Sequence, residues 1–419
     1  MFEDSTLLVI MVSVLVALSY VYSAIAGRTK IPSVILLIFT GIAFRFFYNR
    51  YETGIPDTGT ILRILGLVGV ILIVLEASME LRLERKKIRI ALRALLSALV
   101  ILLVSSFLIA YGIRVVFPQL DYQSCLVNAI PLAVISSAVA IPSVSHMREE
   151  KREFIIYESI FSDILGILFF NAVITYESVD FSTFSWMLAD FAIVLTVSVM
   201  FSALVLVFIN KTTMNIKFFL MIALLVLLYS LGELFHLSSL LMILVFGVAL
   251  NNLDLIGKGR MAKYIESERV KASIANFKLI TGESAFLIRT FFFFIFGFTL
   301  HLALIMDFYI LITGLLIVIL LYGIRFLYLK FIARSNLFPE IFVAPRGLIT
   351  ILLFYSIPEQ FNIGVISEGV LFFVIIVSAL FMTAGLFRTQ EKIPEMEIYI
   401  GLKKKWIRNE KGFVEVDEE

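Results

Sequence analysis

Charge is scarce in this sequence, and long polar stretches are missing from nearly all of it. Only 16% of its 419 residues are Asp, Glu, Lys or Arg, while 60% are hydrophobic. A water-soluble domain carries roughly 25% charged residues. The deficit excludes a second, soluble domain, because no segment has the composition for one. The net charge of +2 offers no basic surface, which excludes nucleic acid as a partner. The single cysteine, Cys125, excludes an internal disulfide. Histidine is nearly missing too: His146, His236 and His301 lie near the ends of apolar runs, in no metal-binding spacing. A glycine-rich phosphate loop, a His/Cys metal motif and a nucleophile elbow are all lacking. Enzyme chemistry and an ATP-driven pump are therefore excluded, and no cofactor is expected. Any transport must draw on an ion gradient.

What is present is a series of apolar runs of bilayer-crossing length, joined by short polar links. Hydropathy places thirteen spans at about 7–27, 31–48, 61–81, 90–116, 123–146, 154–176, 187–209, 216–234, 237–252, 284–302, 306–332, 339–358 and 367–388. Spans 8 and 9 nearly touch at His236, and fusing them would leave twelve. The start, MFEDSTLLVIMVSVLVALSYVY, is acidic and its apolar run is long, so it reads as a retained first helix rather than a secretory signal.

Charge placement decides the count. Lys and Arg concentrate in cytoplasmic loops. They cluster after span 1 (Arg28, Lys30), span 3 (Arg82, Arg85, Lys86, Lys87), span 5 (Arg148, Lys151, Arg152), span 7 (Lys211, Lys217), span 9 (Lys258, Arg260, Lys263, Arg269, Lys271, Lys278) and span 11 (Lys330, Arg334). The even joints are nearly free of them. Odd joints are therefore expected inside, the N-terminus outside and the C-terminus in the cytoplasm. Fusing spans 8 and 9 would put the basic 251–283 joint outside, so thirteen is preferred. The expected location is the plasma (inner) membrane. Residues 389–419 read as a short, polar, solvated cytoplasmic tail.

Ionisable residues inside spans are costly and mark ion paths or paired structural sites. Span 6, EFIIYESIFSDILGILFFNAVI, holds Glu158 and Asp163. Asp163 lies about nine residues in, or about 14 Å at 1.5 Å per residue. That is near the middle of a core about 30 Å thick. Arg325 of span 11 falls at a depth similar to Glu158, so those two are expected to pair, leaving Asp163 without a dedicated cation. Desolvation disfavours a bare carboxylate there. It should hold either a proton or a cation, and one group that holds one or the other is sufficient for exchange. Span 3 carries Glu76 and Glu80, and span 10 carries Glu283 and Arg289. Glu76 and Glu283 are candidates for the cation path.

Two spans look broken. In span 5, NAIPLAVISSAVAIPSVSHM, Pro131 and Pro142 bracket Ser136 and Ser137. Proline removes a backbone donor and frees a carbonyl. Span 12 has Pro345, Arg346 and Gly347 together. Inverted-repeat transporters carry broken helices at corresponding positions of their two halves, and spans 5 and 12 are antiparallel, as inversion requires. Ser hydroxyls and freed carbonyls suit Na⁺ or Li⁺. Close packing by small residues is the competing reading of the serine pair. Arg346 is placed to offset the negative ends of facing half-helices.

Six segments, in order, resemble the monovalent cation:proton antiporter superfamily, sodium/proton exchanger type: KIPSVILLIFTGIAF, LGLVGVILIVLEASMEL, ESIFSDILG, GESAFLIRTFFFFIFGF, YGIRFLYLKF and APRGLITI. The resemblance covers spans 1 to 13. It implies an all-α fold of about thirteen helices in two inverted repeats, with helices 5 and 12 broken and crossed. It places Asp163 at the ion-carrying aspartate (and thus at the transported metal ion), Glu158 at the glutamate before it, and Arg325 at the arginine that pairs with that glutamate. Ser162 stands where the family usually has Asn or Asp, and Ser136-Ser137-Ala138 where it often has Thr-Asp-Pro. One acid remains at the centre, so one proton per cation, an electroneutral cycle, is expected. The resemblance also implies a homodimer and alternating access by a core (90–176 and 306–388) moving against a scaffold (1–89 and 187–302). The transported cation is Na⁺ in this reading, with Li⁺ or K⁺ as alternatives. A gated, channel-like K⁺ efflux system is the competing transport reading, and a non-transporting membrane sensor or scaffold is a third.

Overall fold

The structure is a computed structural model that describes residues 2–29, 31–51, 58–81, 87–144, 147–175, 192–205, 218–235, 237, 239–252, 268–299, 307–333, 338–388, 405–409 and 412–416. The three histidines and most of the basic joints lie outside the described residues, so charge placement is read from sequence alone.

Thirteen spans correspond to the helices α1 (Phe2–Thr29), α2 (Ser33–Tyr51), α3 (Thr58–Glu80), α4 (Ile88–Val116), the broken pair α5 (Tyr122–Ala133) and α6 (Ser137–Ser143), α7 (Glu149–Thr175), α8 (Ala192–Val205), α9 (Phe218–Leu234), α10 (Ser239–Asn251), α11 (Glu268–Thr299), α12 (Phe308–Leu327), α13 (Leu348–Tyr355) and α14 (Glu368–Arg388). Side-chain caps start two of them. Asp121 accepts from the Ser124 N–H at 3.2 Å before α5, and Asp307 from the Tyr309 N–H at 2.9 Å before α12. α9 and α10 are separate helices, as thirteen spans require rather than twelve.

Three details differ from the sequence reading. α11 begins at Glu268, well before residue 284, because hydropathy marks entry into the bilayer and nothing between 268 and 284 breaks a helix. Span 12 is helical only in its second half: 338–342 form turns and 343–347 have no regular structure. In the tail, read from sequence as a short, polar, solvated end, β1 (Lys405–Asn409) and β2 (Gly412–Val416) pair antiparallel. Trp406, Ile407, Phe413 and Val414 are residues that favour strands. The membrane part itself is all-α.

The helices pack in two groups. In one, α11 lies along α2 and α3, and α10 lies between α3 and α9. In the other, α4 lies along α5 and α7, α12 packs on α14, and α13 on α5. Apolar side chains give little drive to association in lipid, so close backbone approach at small residues matters more. A Cβ at Gly41 of α2 would sit 2.2 Å from the Phe294 carbonyl, and one at Gly297 of α11 would sit 2.2 Å from that of Ile38. Arg45 closes the same interface by donating to the Phe298 carbonyl at 3.1 Å and to that of Thr299, at the end of α11. α4 turns Ala94, Ser97, Ala98, Ile101 and Ser105 inward, and leaves Leu92, Leu96 and Leu108 exposed.

Gly297→Val should force the α2 and α11 backbones apart and cost about 1–3 kcal/mol, as overpacking does. Gly112→Ala, which meets nothing within 4 Å, should stay within about 0.5 kcal/mol. Thermal unfolding of both purified variants in detergent measures the contrast.

Candidate functional site

The break in the fifth span is deeply buried: every residue from Cys125 to Ala140 is shielded. Irregular backbone survives at membrane depth only where protein satisfies its polar groups. Here the protein supplies partners for three amides and two carbonyls around the break. The Ser136 N–H donates to the Pro345 carbonyl at 2.9 Å, joining the two breaks directly. The Ile135 N–H donates to Ser162 Oγ at 2.9 Å, and the Ser137 N–H to Asp163 Oδ2 at 3.1 Å. The carbonyls that end α5 go to one arginine. Arg346 Nε donates to Leu132 O at 2.9 Å and Nη2 to Ala133 O at 3.4 Å, while Nη1 turns back to Ala344 O. α14 holds this arginine in place, since its own N–H donates to Ser378 Oγ at 3.0 Å.

Arg346 therefore serves one half-helix end rather than two, because no helix leads into the second break. The prolines do not mark the break either. Pro131 lies inside α5 and Pro142 inside α6, with the non-helical stretch at 134–136 between them. The crossing is tight at two glycines. A Cβ on Gly347 would come within 2.6 Å of Ser136 Oγ, and one on Gly166 of α7 within 2.4 Å of a Val134 methyl.

Asp163 is 5% exposed and Ser136 1%. Asp163 Oδ1 and Ser136 Oγ are buried and make no hydrogen bond among the described residues. Such orphans are rare in folded proteins and call for an occupant. No basic side chain among the described residues pairs with Asp163. The other buried acid of α7 is fully engaged. Glu158 takes Arg325 Nη1 at 3.1 Å and Nη2 at 2.8 Å, and accepts from Ser97 Oγ at 2.5 Å. Arg325 Nε donates to Glu340 O at 2.9 Å. α7, α12, α4 and the turn before the second break thus meet at one bidentate pair.

Against the collection of family models, residues 12–389 match "Sodium/hydrogen exchanger, transmembrane". The chain belongs to the sodium/hydrogen exchanger family. By family it is an integral, multi-pass cation:proton antiporter, a transporter and not an enzyme. Two structures of MjNhaP1, the sodium proton antiporter of Methanocaldococcus jannaschii, share the exchanger's fold. The one solved at pH 8 has a TM-score of 0.62 at 19% identity, over 92% of this chain and 96% of that one. The electron-microscopy one has a TM-score of 0.63 at 20% identity, over 93% and 99%. No curated sequence matches the exchanger at comparable stringency.

The exchanger's fold brings Asp163, Ser162, Ser136, Ser137 and Arg346 to the crossing, with Glu158 and Arg325 paired. Glu76 and Glu283 make their contacts elsewhere. Glu76 bonds Arg289 of α11 at 3.1 Å, and Glu283 accepts from the hydroxyl of Tyr20 of α1 at 2.8 Å. Ser97, Ser378 and Glu340 are partners that sequence reasoning missed. A lone serine in an apolar helix carries no signal beyond small size, and Glu340 stands at a span edge where acids are common.

Glu158→Gln alone should cost the exchanger about 3–5 kcal/mol, because it strands a buried guanidinium. The double variant Glu158→Gln, Arg325→Met should regain much of that loss. Thermal unfolding of single and double variants decides it, and a double variant no more stable than the singles would contradict the pairing account.

Proposed function

We propose that the chain exchanges sodium for protons, one for one, with Asp163 as the group that carries each in turn. The allocation of buried charge carries this reading. Arg346 is committed to carbonyls and Arg325 to Glu158, so neither is spent on Asp163. Asp163 Oδ1 is a buried oxygen without a hydrogen bond, and so is Ser136 Oγ, one residue from the Ser137 N–H that Asp163 Oδ2 accepts. A dehydrated monovalent cation needs such oxygen donors, and a proton on Asp163 removes the charge that holds it. Ser162 and Ser137 hold the opened backbone in place, and Glu76 and Glu283 remain candidates for the approach path. One acid at the crossing supports one proton per cation and an electroneutral cycle. Sodium is the preferred cargo because the carboxylate and hydroxyl are hard donors and because the family is named for it. MjNhaP1, which shares the fold, is likewise a sodium proton antiporter.

Alternating access then has a physical partition. Residues 90–176 and 306–388 form the moving core, and 1–89 with 187–302 the scaffold. Each packs chiefly within itself, and the seam is a cluster in which Ala77 of α3 and Leu81 just after it meet Ala94 of α4 and Tyr157, Ile160 and Ile164 of α7. The scaffold provides the homodimer contact. The plasma membrane is the site of action, with the N-terminus outside and the C-terminus in the cytoplasm, following the basic odd-numbered joints.

In proteoliposomes with an imposed pH gradient, added Na⁺ should release protons, and clamping the membrane potential should leave the rate unchanged. Asp163→Asn should abolish exchange. The apparent KM for the cation should rise as pH falls, since proton and cation compete for one carboxylate. Full exchange by the Asn variant, or a cation current without proton movement, would overturn the reading, and the second would favour the channel-like alternative. A screen of Li⁺ and K⁺ in the same vesicles fixes the cargo.

A further inference from the structure

Glu76 has a candidate part in that scheme, but its partner Arg289 has none. Arg289 Nη2 of α11 donates to Glu76 Oε1 of α3 at 3.1 Å, with the side chains 19% and 21% exposed. They are drawn away from solvent without being sealed. Glu80 and Lys278 add one charge of each sign to the neighbourhood. The pair joins α3 to α11, and one residue along α3 from Glu76 begins the seam between the two helix groups. Ala77, next to Glu76, packs in one cluster with Ile160, Phe161 and Ile164 of α7, and Ile164 adjoins Asp163. α3 also touches α13, the helical half of the second break.

Holding α3 to α11 does not need this pair. The two helices already pack along one another, closely enough that a Cβ on Gly69 would meet Ile288 at 3.0 Å. Ionisable residues at membrane depth mark ion routes or pairs, and here one is both. Arg is permanently charged. It therefore occupies the coordination space that a cation arriving at Glu76 would need.

We propose that Arg289 is a tethered cation that competes with the transported ion for Glu76 and so sets the apparent cation affinity of the exchanger. The proposal rests on the reading that Glu76 borders the cation route. A cation that reaches Glu76 must displace the guanidinium, so the free energy of the pair is subtracted from that of cation binding. Arg289 acts through Glu76 and is a positioning residue; it does not touch the transported ion. The arrangement keeps Glu76 from holding a cation tightly on the way to Asp163.

The test is Na⁺-dependent exchange by wild type, Arg289→Gln, Arg289→Lys, Glu76→Gln and the double variant Glu76→Gln, Arg289→Gln. Arg289→Gln should lower the apparent KM for Na⁺ by about fivefold or more, the low end of coupling between linked sites. Arg289→Lys should stay near wild type. In the Glu76→Gln background the arginine substitution should do nothing. An unchanged KM in Arg289→Gln, or an equal fall in the Glu76→Gln background, would overturn the proposal and leave a structural clamp. Thermal stabilisation of the purified proteins by Na⁺ gives a second readout that does not need transport. Arg289→Gln should be stabilised at lower Na⁺ than wild type, and equal stabilisation would count against Arg289. Wild type that binds Na⁺ without exchanging it would sink the exchange reading alone. Should Arg289→Gln not fold, Arg289→Met and the Lys variant carry the comparison.

Discussion

Everything at the centre of this molecule depends on one constraint: a helix opened inside a membrane must have its backbone groups satisfied by protein. Residues 134–136 and 343–347 are two such openings, and they answer one another. The Ser136 N–H meets the Pro345 carbonyl, Arg346 of the second opening takes the carbonyls that end α5, and Ser162 and Asp163 take the amides of the first. Lipid could supply none of these partners. The crossing is therefore enclosed by α4, α7, α12 and α14, and that enclosure makes it dry enough for a carboxylate to matter.

The same constraint sorts the charges. A buried ion is tolerable when its hydrogen bonds are complete. Glu158 and Arg325 meet that condition with two guanidinium bonds, a serine and a backbone carbonyl. Arg346 meets it with carbonyls alone. Asp163 is the member of the set whose second oxygen has no partner among the described residues. Two acids of one helix are thus in different situations: Glu158 anchors α7, and Asp163, further along, keeps the unpartnered oxygen on which the proposed exchange rests.

Much of this was legible in the residues. Hydropathy found every span, since a bilayer selects length and apolarity before anything else. The depth of Asp163 along its span singled it out, and the matched depths of Glu158 and Arg325 paired them. Depth alone did not show which neighbour helix faces which, so the Glu76–Arg289 pair stayed two separate charges on two spans. The start of α11 was missed because charged residues such as Lys271 and Lys278 end a hydropathy window without ending a helix. The non-helical half of span 12 was missed because Pro345-Arg346-Gly347 announces a break but does not say which side of it stays helical. Ser97 and Ser378 were invisible for a plainer reason, since a serine that bonds a buried charge looks like one that merely lets two helices approach.

In the proposed exchange, Asp163 holds either a proton or a monovalent cation and is neutral whichever it carries, and neutrality is what would let it face a low-dielectric seam. The bare anion pays the full desolvation cost, so an empty core is held back while either loaded form moves freely. Obligatory exchange follows from that inequality without a separate gate. It also explains why the neighbouring charges must be locked. Had Arg346 or Arg325 been loose enough to reach Asp163, the empty site would be neutral as well, the inequality would vanish, and the cycle would leak cations without returning protons.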